Sequence, residues 1–124
     1  MYTVGVIKTI PEVRTYVSVD GGMGDNIRPA LYESEYAVVP VDRPLAERNH
    51  TVTVAGKFCE SGDVLARDVD LPEPETGELL ALPASGAYCL MMASNYNMQT
   101  RPAVVLVNQG TSRLIRRRET YKDL

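Results

Sequence analysis

The sequence predicts a mainly β domain, closed or sandwiched, carrying one or two short helices. Three observations point there. Short β-branched runs alternate apolar and polar residues, as in Thr15-Tyr16-Val17-Ser18-Val19-Asp20 and His50 to Ala55, which is the period of a half-buried strand. Glycine- or proline-rich turns separate these runs at short intervals. The count, roughly seven short strands against one or two short helices, favours a closed or sandwiched β domain over a βαβ arrangement.

In chain order, the first strands fall at Val4 to Ile7 and Arg14 to Val19, bounded by Pro11 and Gly21. Gly21, Gly22 and Gly24 then break regularity around Met23, and Pro29 suits the first turn of a short helix over Pro29 to Tyr32. Tyr36 to Val41 reads as a strand confined to a sheet edge by Pro40, whose missing N–H cannot serve a central ladder. Arg43 to Asn49 is a charged loop, and in the strand from His50 to Ala55, Val52 and Val54 share one face. Val64 to Val69 is a further strand, followed by the acidic, proline-rich turn from Leu71 to Glu78 and the strand Leu79 to Leu82. Tyr88 to Ala93 is the best helix candidate, with Tyr88, Met91, Met92 and Asn95 on one predicted face. A hairpin closes the chain: Ala103 to Val107, a turn at Asn108-Gln109-Gly110, and Ser112 to Arg117.

The 124 residues form one domain on this reading, 1–124, without repeats or a linker. An apolar fraction of 44% with 23% charged residues is ordinary for a globular fold. No run approaches the about 18 apolar residues of a membrane span, and no export signal opens the chain, so a cytoplasmic location with no membrane partner is expected. The net charge of −3 argues against nucleic acid. Cys59 and Cys89 are expected as free thiols, and with the single His50 they do not make up a zinc ligand set.

The stretch richest in chemistry is Lys57-Phe58-Cys59-Glu60-Ser61-Gly62-Asp63, a glycine-bounded polar turn directly after a strand. A buried structural thiol is the default for Cys59. Glu60 and Asp63 beside it favour a protonated thiol, suited to giving a proton rather than attacking as a thiolate. Arg28 and Tyr32, four residues apart, would share a helix face and suit a bound carboxylate, the arginine through paired hydrogen bonds. A surface arginine and a core tyrosine are the bland alternative. Tyr88 reads by default as an amphipathic core residue whose hydroxyl finds a backbone partner. Arg116-Arg117-Arg118 is met at once by Glu119 and Asp123 and reads as a solvated strand end, and His50 as a flanking residue.

Taken together and in order, these motifs carry a resemblance. Tyr16-Val17-Ser18-Val19-Asp20-Gly21-Gly22-Met23, Arg28-Pro29-Ala30-Leu31-Tyr32, Cys59-Glu60-Ser61-Gly62-Asp63, Gly86-Ala87-Tyr88, Met92-Ala93-Ser94-Asn95-Tyr96-Asn97 and Arg101-Pro102 are similar throughout to the C-terminal part of diaminopimelate decarboxylases, which use pyridoxal 5′-phosphate (PLP). The resemblance implies the C-terminal β-barrel or sandwich domain of the alanine racemase/group IV decarboxylase type. Glu60, where the ornithine and arginine branch usually has Asp, favours the diaminopimelate branch. Carried over residue by residue, Arg28 and Tyr32 would bind a substrate carboxylate and Glu60 its distal ammonium. Cys59 would be the proton donor after carbon dioxide leaves, and Tyr88 would touch both substrate and PLP.

The family's N-terminal PLP-binding (β/α)8 barrel, with its lysine and phosphate-binding glycines, has no counterpart here, and Lys8 and Lys57 do not lie in that lysine's motif. In the family the site forms at a homodimer interface, so this chain is expected to hold about half of a composite site, to be inactive alone, and to need that barrel as partner. The rival expectations are a non-catalytic docking or regulatory module and a truncated relic, of this enzyme or of a related ornithine or arginine decarboxylase.

Overall fold

A computed structural model describes residues 1–124. It contains eight strands: β1 (Tyr2–Ile10), β2 (Arg14–Val19), β3 (Val39–Pro40), β4 (His50–Ala55), β5 (Val64–Leu71), β6 (Leu79–Ala81), β7 (Val104–Asn108) and β8 (Thr111–Arg116). Two short helices, α1 (Arg28–Tyr32) and α2 (Gly86–Met92), and 3-10 turns at Tyr96–Met98 and Tyr121–Asp123 complete it. Six strands form one barrel-like sheet in the order β3-β6-β1-β2-β4-β5, while β7 and β8 pair as a separate hairpin. The predicted mainly β class with short helices is the class observed.

The inner face of the six-stranded sheet is the core: Val4, Val17, Val19, Val38, Val52, Val54, Leu65, Ala66, Leu71, Leu80 and Leu82 form one buried cluster. In β2 the predicted alternation holds, with Val17 and Val19 buried and Ser18 between them on the other face. In β4, Thr53 is buried along with Val52 and Val54, so the strand is covered on both sides there. Alternating polarity in sequence is therefore not alternating exposure. β1 runs to Ile10, beyond the expected Ile7, because it pairs in register with β2 down to Ile10–Arg14.

Between Val4 and Ile7 the β1–β2 register slips at a bulge. Ser18 repairs it: the Val6 N–H donates to Ser18 Oγ at 2.9 Å, and the hydroxyl donates to Val6 O at 3.1 Å. One side chain thus replaces the ladder partners that the extra residue displaced. The closing hairpin turns through Gln109 and Gly110, both at positive φ, which matches the right-handed twist of the paired strands.

Two expectations need correction. Tyr36 to Val41 is not a six-residue strand. Only Val39 and Pro40 pair, with Ala81 and Leu80, although Pro40 does sit on the sheet edge. Nor does the core position weighed for Tyr88 on the second helix hold. Tyr88 and Met91 are 64% and 84% exposed, and the residue that α2 buries is Cys89. Helical spacing shows which residues share a face but not which way that face points.

All ladders are antiparallel except one: β2 and β4 run parallel, with Val17 opposite Val54 and Ser18 opposite Ala55. Parallel neighbours finish at the same end of a sheet, so the glycine loop after Val19 and the cysteine loop after Ala55 leave side by side. The segment from Asp20 to Asn49 is the crossover between them, and it carries α1 and β3. Arg43 in this crossover is tied to the acidic turn by its ion pair with Glu78, Nε–Oε1 2.7 Å.

The C-terminal segment is held by Glu119. Its carboxylate accepts from the Arg101 amide (2.8 Å), Arg101 Nε (2.7 Å), Asn95 Nδ2 (2.7 Å) and Arg116 Nη2 (2.8 Å). The Arg101 amide, with Asn95 and the Arg101 guanidinium, holds this carboxyl below its ordinary 4.5. Arg117 pairs with Asp123 at Nη1–Oδ2 2.8 Å, so two members of the arginine run end in ion pairs at the strand end, as expected.

Truncating the fully buried Leu65 to alanine is expected to lower unfolding stability by about 2–5 kcal/mol, and Ser18→Ala by about 1 kcal/mol, both read from urea midpoints at unchanged slope. Acid should loosen the C-terminal segment. With its native pKa below its unfolded one, Glu119 contributes stability in full above pH 4.5, and loses it as pH falls through the depressed value. In an NMR titration the Arg101 amide and Asn95 side-chain signals should move together with a midpoint below pH 4.5, and Glu119→Gln should abolish that transition.

Candidate functional site

Asp63 joins the two adjacent loops. It is 4% exposed, and its carboxylate accepts the Met23 N–H at 2.6 Å from the glycine loop and the Phe58 N–H at 2.7 Å from the cysteine loop. The Lys57 N–H donates to Gly21 O at 3.0 Å and the Gly56 N–H to Asp63 O at 2.9 Å. A Cβ on Gly22 or Gly56 would fall on the Asp63 carboxylate itself, which explains a glycine at each position without any unusual backbone angle. Burial raises the Asp63 carboxyl above its ordinary range, and the two amide hydrogen bonds oppose that. On the glycine loop, Asp25 accepts the Gly22 N–H at 3.1 Å, and burial likewise raises its carboxyl.

Held from inside in this way, the cysteine loop turns its chemistry outward. Cys59 is a free, exposed thiol, and Glu60 is exposed, with Oε1 near the Ser61 hydroxyl (3.3 Å) and the Gly62 amide (3.2 Å). The buried structural role weighed for Cys59 is excluded, and it is Cys89 that is buried. Asp63, counted beside the thiol in the sequence, directs both oxygens inward to backbone amides. The loop is further packed by Phe58, whose ring meets Tyr96 edge-on at 5.5 Å and covers Gly24. The Ser94 amide donates to Gly24 O at 2.9 Å, so Ser94 and Tyr96 brace both loops.

The second group of predicted residues comes together around α1. The Arg28 guanidinium lies over the Tyr32 ring at 5.3 Å and the Tyr88 ring at 4.9 Å. Arg28, Tyr32 and Tyr88 therefore form one cluster, with α1 supplying two members and α2 the third. Tyr32 is 60% exposed and, like Tyr88, is not the core residue weighed as an alternative. Arg28 Nε donates to the Tyr36 hydroxyl at 3.1 Å, and its terminal nitrogens have no acceptor in the chain. No hydrogen bond links this cluster to Cys59 or Glu60, although the Gly62 end of the cysteine loop lies against Ala30 of α1.

Tyr36 and Asn26, which the sequence reading did not single out, sit beneath this cluster. Asn26 Oδ1 accepts the Arg28 amide (3.2 Å) and the Cys89 thiol (3.0 Å), and Cys89 Sγ is 3.6 Å from the Tyr36 hydroxyl. Two donors on one side fix the Asn26 amide with its oxygen towards them, leaving Nδ2 buried and without an acceptor. Spacing alone gave no signal for these contacts, because Asn26 and Cys89 are 63 residues apart.

No group of three or more His, Cys, Asp or Glu residues is arranged to hold a metal, and no helix is long and apolar enough to cross a membrane. His50 is the exposed first residue of β4.

A family model described as the C-terminal sheet domain of pyridoxal-dependent decarboxylases matches residues 1–86. The diaminopimelate decarboxylase of Synechocystis sp. is 57% identical over 123 residues, covering 99% of this chain and 26% of that protein. That of Bacillus subtilis is 53% identical over 124 residues, covering 100% and 28%. The chain thus spans about a quarter of the length of these relatives. Among solved structures, diaminopimelate decarboxylase from M. jannaschii in complex with L-lysine superposes with a TM-score of 0.89 at 41% identity, over 98% of this chain and 27% of that one. A lysine/ornithine decarboxylase from Vibrio vulnificus complexed with cadaverine shares the fold over 78% of this chain and 26% of its own, at a TM-score of 0.66 and 20% identity. With the family model matching residues 1–86 and these relatives similar over nearly the whole chain, the chain belongs to the pyridoxal-dependent decarboxylase family, as its C-terminal sheet domain.

Proposed function

We propose that this chain supplies the substrate-facing side of a diaminopimelate decarboxylase, converting meso-diaminopimelate to L-lysine and carbon dioxide at a site completed by a PLP-binding barrel in a homodimer. The observation that carries this reading is the Arg28 guanidinium, braced by two exposed tyrosines and a third hydroxyl, with its terminal nitrogens unpartnered. A cation so placed suits a carboxylate brought from outside the chain.

In this reading Arg28 and Tyr32 bind the carboxylate of the substrate, and Glu60 holds the distal ammonium by charge pairing. Cys59 gives its thiol proton to the carbon that has lost its carboxyl group, a role its exposed place on a firmly held loop supports. The donor set fits one side of PLP. Tyr88 offers an exposed ring and hydroxyl to substrate and cofactor, whereas the three lysines, Lys8, Lys57 and Lys122, have no bond to the Arg28 cluster. PLP, when bound, supplies the electron sink for decarboxylation. The residues of this chain bind, orient and protonate. A second reading, a non-catalytic module docking on an intact decarboxylase, uses the same exposed face, and the relic reading predicts a chain that aggregates.

The 124-residue chain is expected to release no carbon dioxide from meso-diaminopimelate by itself. Mixed with the N-terminal barrel of a relative and PLP, it should restore activity, and Cys59→Ala should lower kcat about 100- to 10,000-fold. Arg28→Ala should also abolish the restored activity. A folded mixture that associates yet stays silent would favour the docking module.

A further inference from the structure

Beneath the Arg28 cluster lies a closed ring of hydrogen bonds, of which the proposed function uses only the Arg28–Tyr36 contact. Arg28 Nε–H donates to the Tyr36 hydroxyl (3.1 Å), and that hydroxyl lies 3.6 Å from Cys89 Sγ. The Cys89 thiol donates to Asn26 Oδ1 (3.0 Å), and Asn26 Oδ1 also accepts the Arg28 backbone N–H (3.2 Å). The donors can be assigned without conflict. Since the thiol proton goes to Asn26 and Arg28 Nε has only a proton to give, the Tyr36 hydroxyl accepts from Arg28 and donates to sulfur. The ring therefore begins and ends on Arg28, gripping its backbone and its side chain at once.

We propose that Tyr36 is a positioning residue for Arg28, aiming the two terminal guanidinium nitrogens outward as a paired donor for a carboxylate. The geometry leaves few other roles for it. Bonding at Nε removes the rotation that would let the guanidinium present one edge or another, and the Tyr32 and Tyr88 rings limit movement across its plane. The half-buried Arg28 is not among the arginines that form ion pairs, which are Arg14, Arg43, Arg101, Arg116 and Arg117. Cys89, buried on α2, and Asn26, buried ahead of α1, anchor Tyr36 in turn. Burial, with the Cys89 contact, raises the Tyr36 phenol, and the Arg28 hydrogen bond and charge oppose that.

This inference rests on the reading that Arg28 receives the substrate's carboxylate, and the test separates the two. In the 124-residue chain, the Arg28 Nε–H signal in an ¹H–¹⁵N spectrum should exchange slowly with water. Tyr36→Phe should speed that exchange at least about tenfold, and Cys89→Ser should preserve the protection. In the chain assembled with a barrel and PLP, Tyr36→Phe should raise KM for meso-diaminopimelate about three- to tenfold with kcat within about twofold, the signature of weakened ground-state binding. Rapid Nε–H exchange in the unaltered chain overturns the positioning role without any variant having to fold. So does a protected Nε–H with KM unmoved by Tyr36→Phe while Arg28→Lys raises it. If Arg28→Lys itself leaves KM unchanged, the carboxylate reading has failed and the positioning role falls with it, whatever the exchange rate shows.

Discussion

The site depends first on one buried carboxylate. Asp63 accepts one backbone N–H from each of two loops that are 35 residues apart in sequence, Met23 to Phe58, and it does so from inside the domain. Burying a charged group is costly unless hydrogen bonds replace its water, and here both oxygens are directed at amides. The two glycines pressed against it follow from the same constraint, since any side chain at Gly22 or Gly56 would evict the carboxylate. The exposed Cys59 and Glu60 need no rigid partners of their own because the loop that carries them is fixed from below.

The Arg28 cluster is supported differently. It has no buried charge at its base. Neutral groups, a phenol, a thiol and an amide, carry the contacts inward, while aromatic faces flank the cation. The two halves of the site thus answer to different forces: charge-assisted bonds to backbone in one, and neutral hydrogen bonds with cation–π contacts in the other. They meet where the Asn26 N–H donates to Gly22 O at 3.1 Å and where Gly62 lies near Ala30.

Much of the fold was legible because burial and alternation coincide in it. Val17 and Val19 in β2, and the Asn108-Gln109-Gly110 turn, behave as their local patterns require. Where one strand is covered on both faces, as at Thr53, polarity no longer reports exposure, and where a helix has an apolar stripe with no partner in the chain, as at Tyr88 and Met91, the stripe faces outward. Arg28 with Tyr32 and the cysteine turn stood out by spacing and residue type, and the family resemblance supplied the roles expected of them. What supports them was not legible. Ser18 at a bulge, Asp63 beneath two loops, Asn26 and Cys89 beneath Arg28, and Glu119 beneath the terminal hairpin act across long sequence separations, and their effect depends on which way a side chain turns.

The parallel pairing of β2 with β4 has a consequence for how the domain forms. Antiparallel neighbours can zip from a turn, as β1–β2 and β7–β8 do, but β4 finds β2 only after the crossover from Asp20 to Asn49 has been closed. The Asp63 contact between the two loops comes into being with that closure, and the Arg28 cluster further needs α2 to bring Tyr88 and Cys89. Assembly of the site is therefore non-local, governed by chain topology rather than by local propensity, and a chain with its hairpins formed but the crossover open would hold native strands without the contact that joins the two loops.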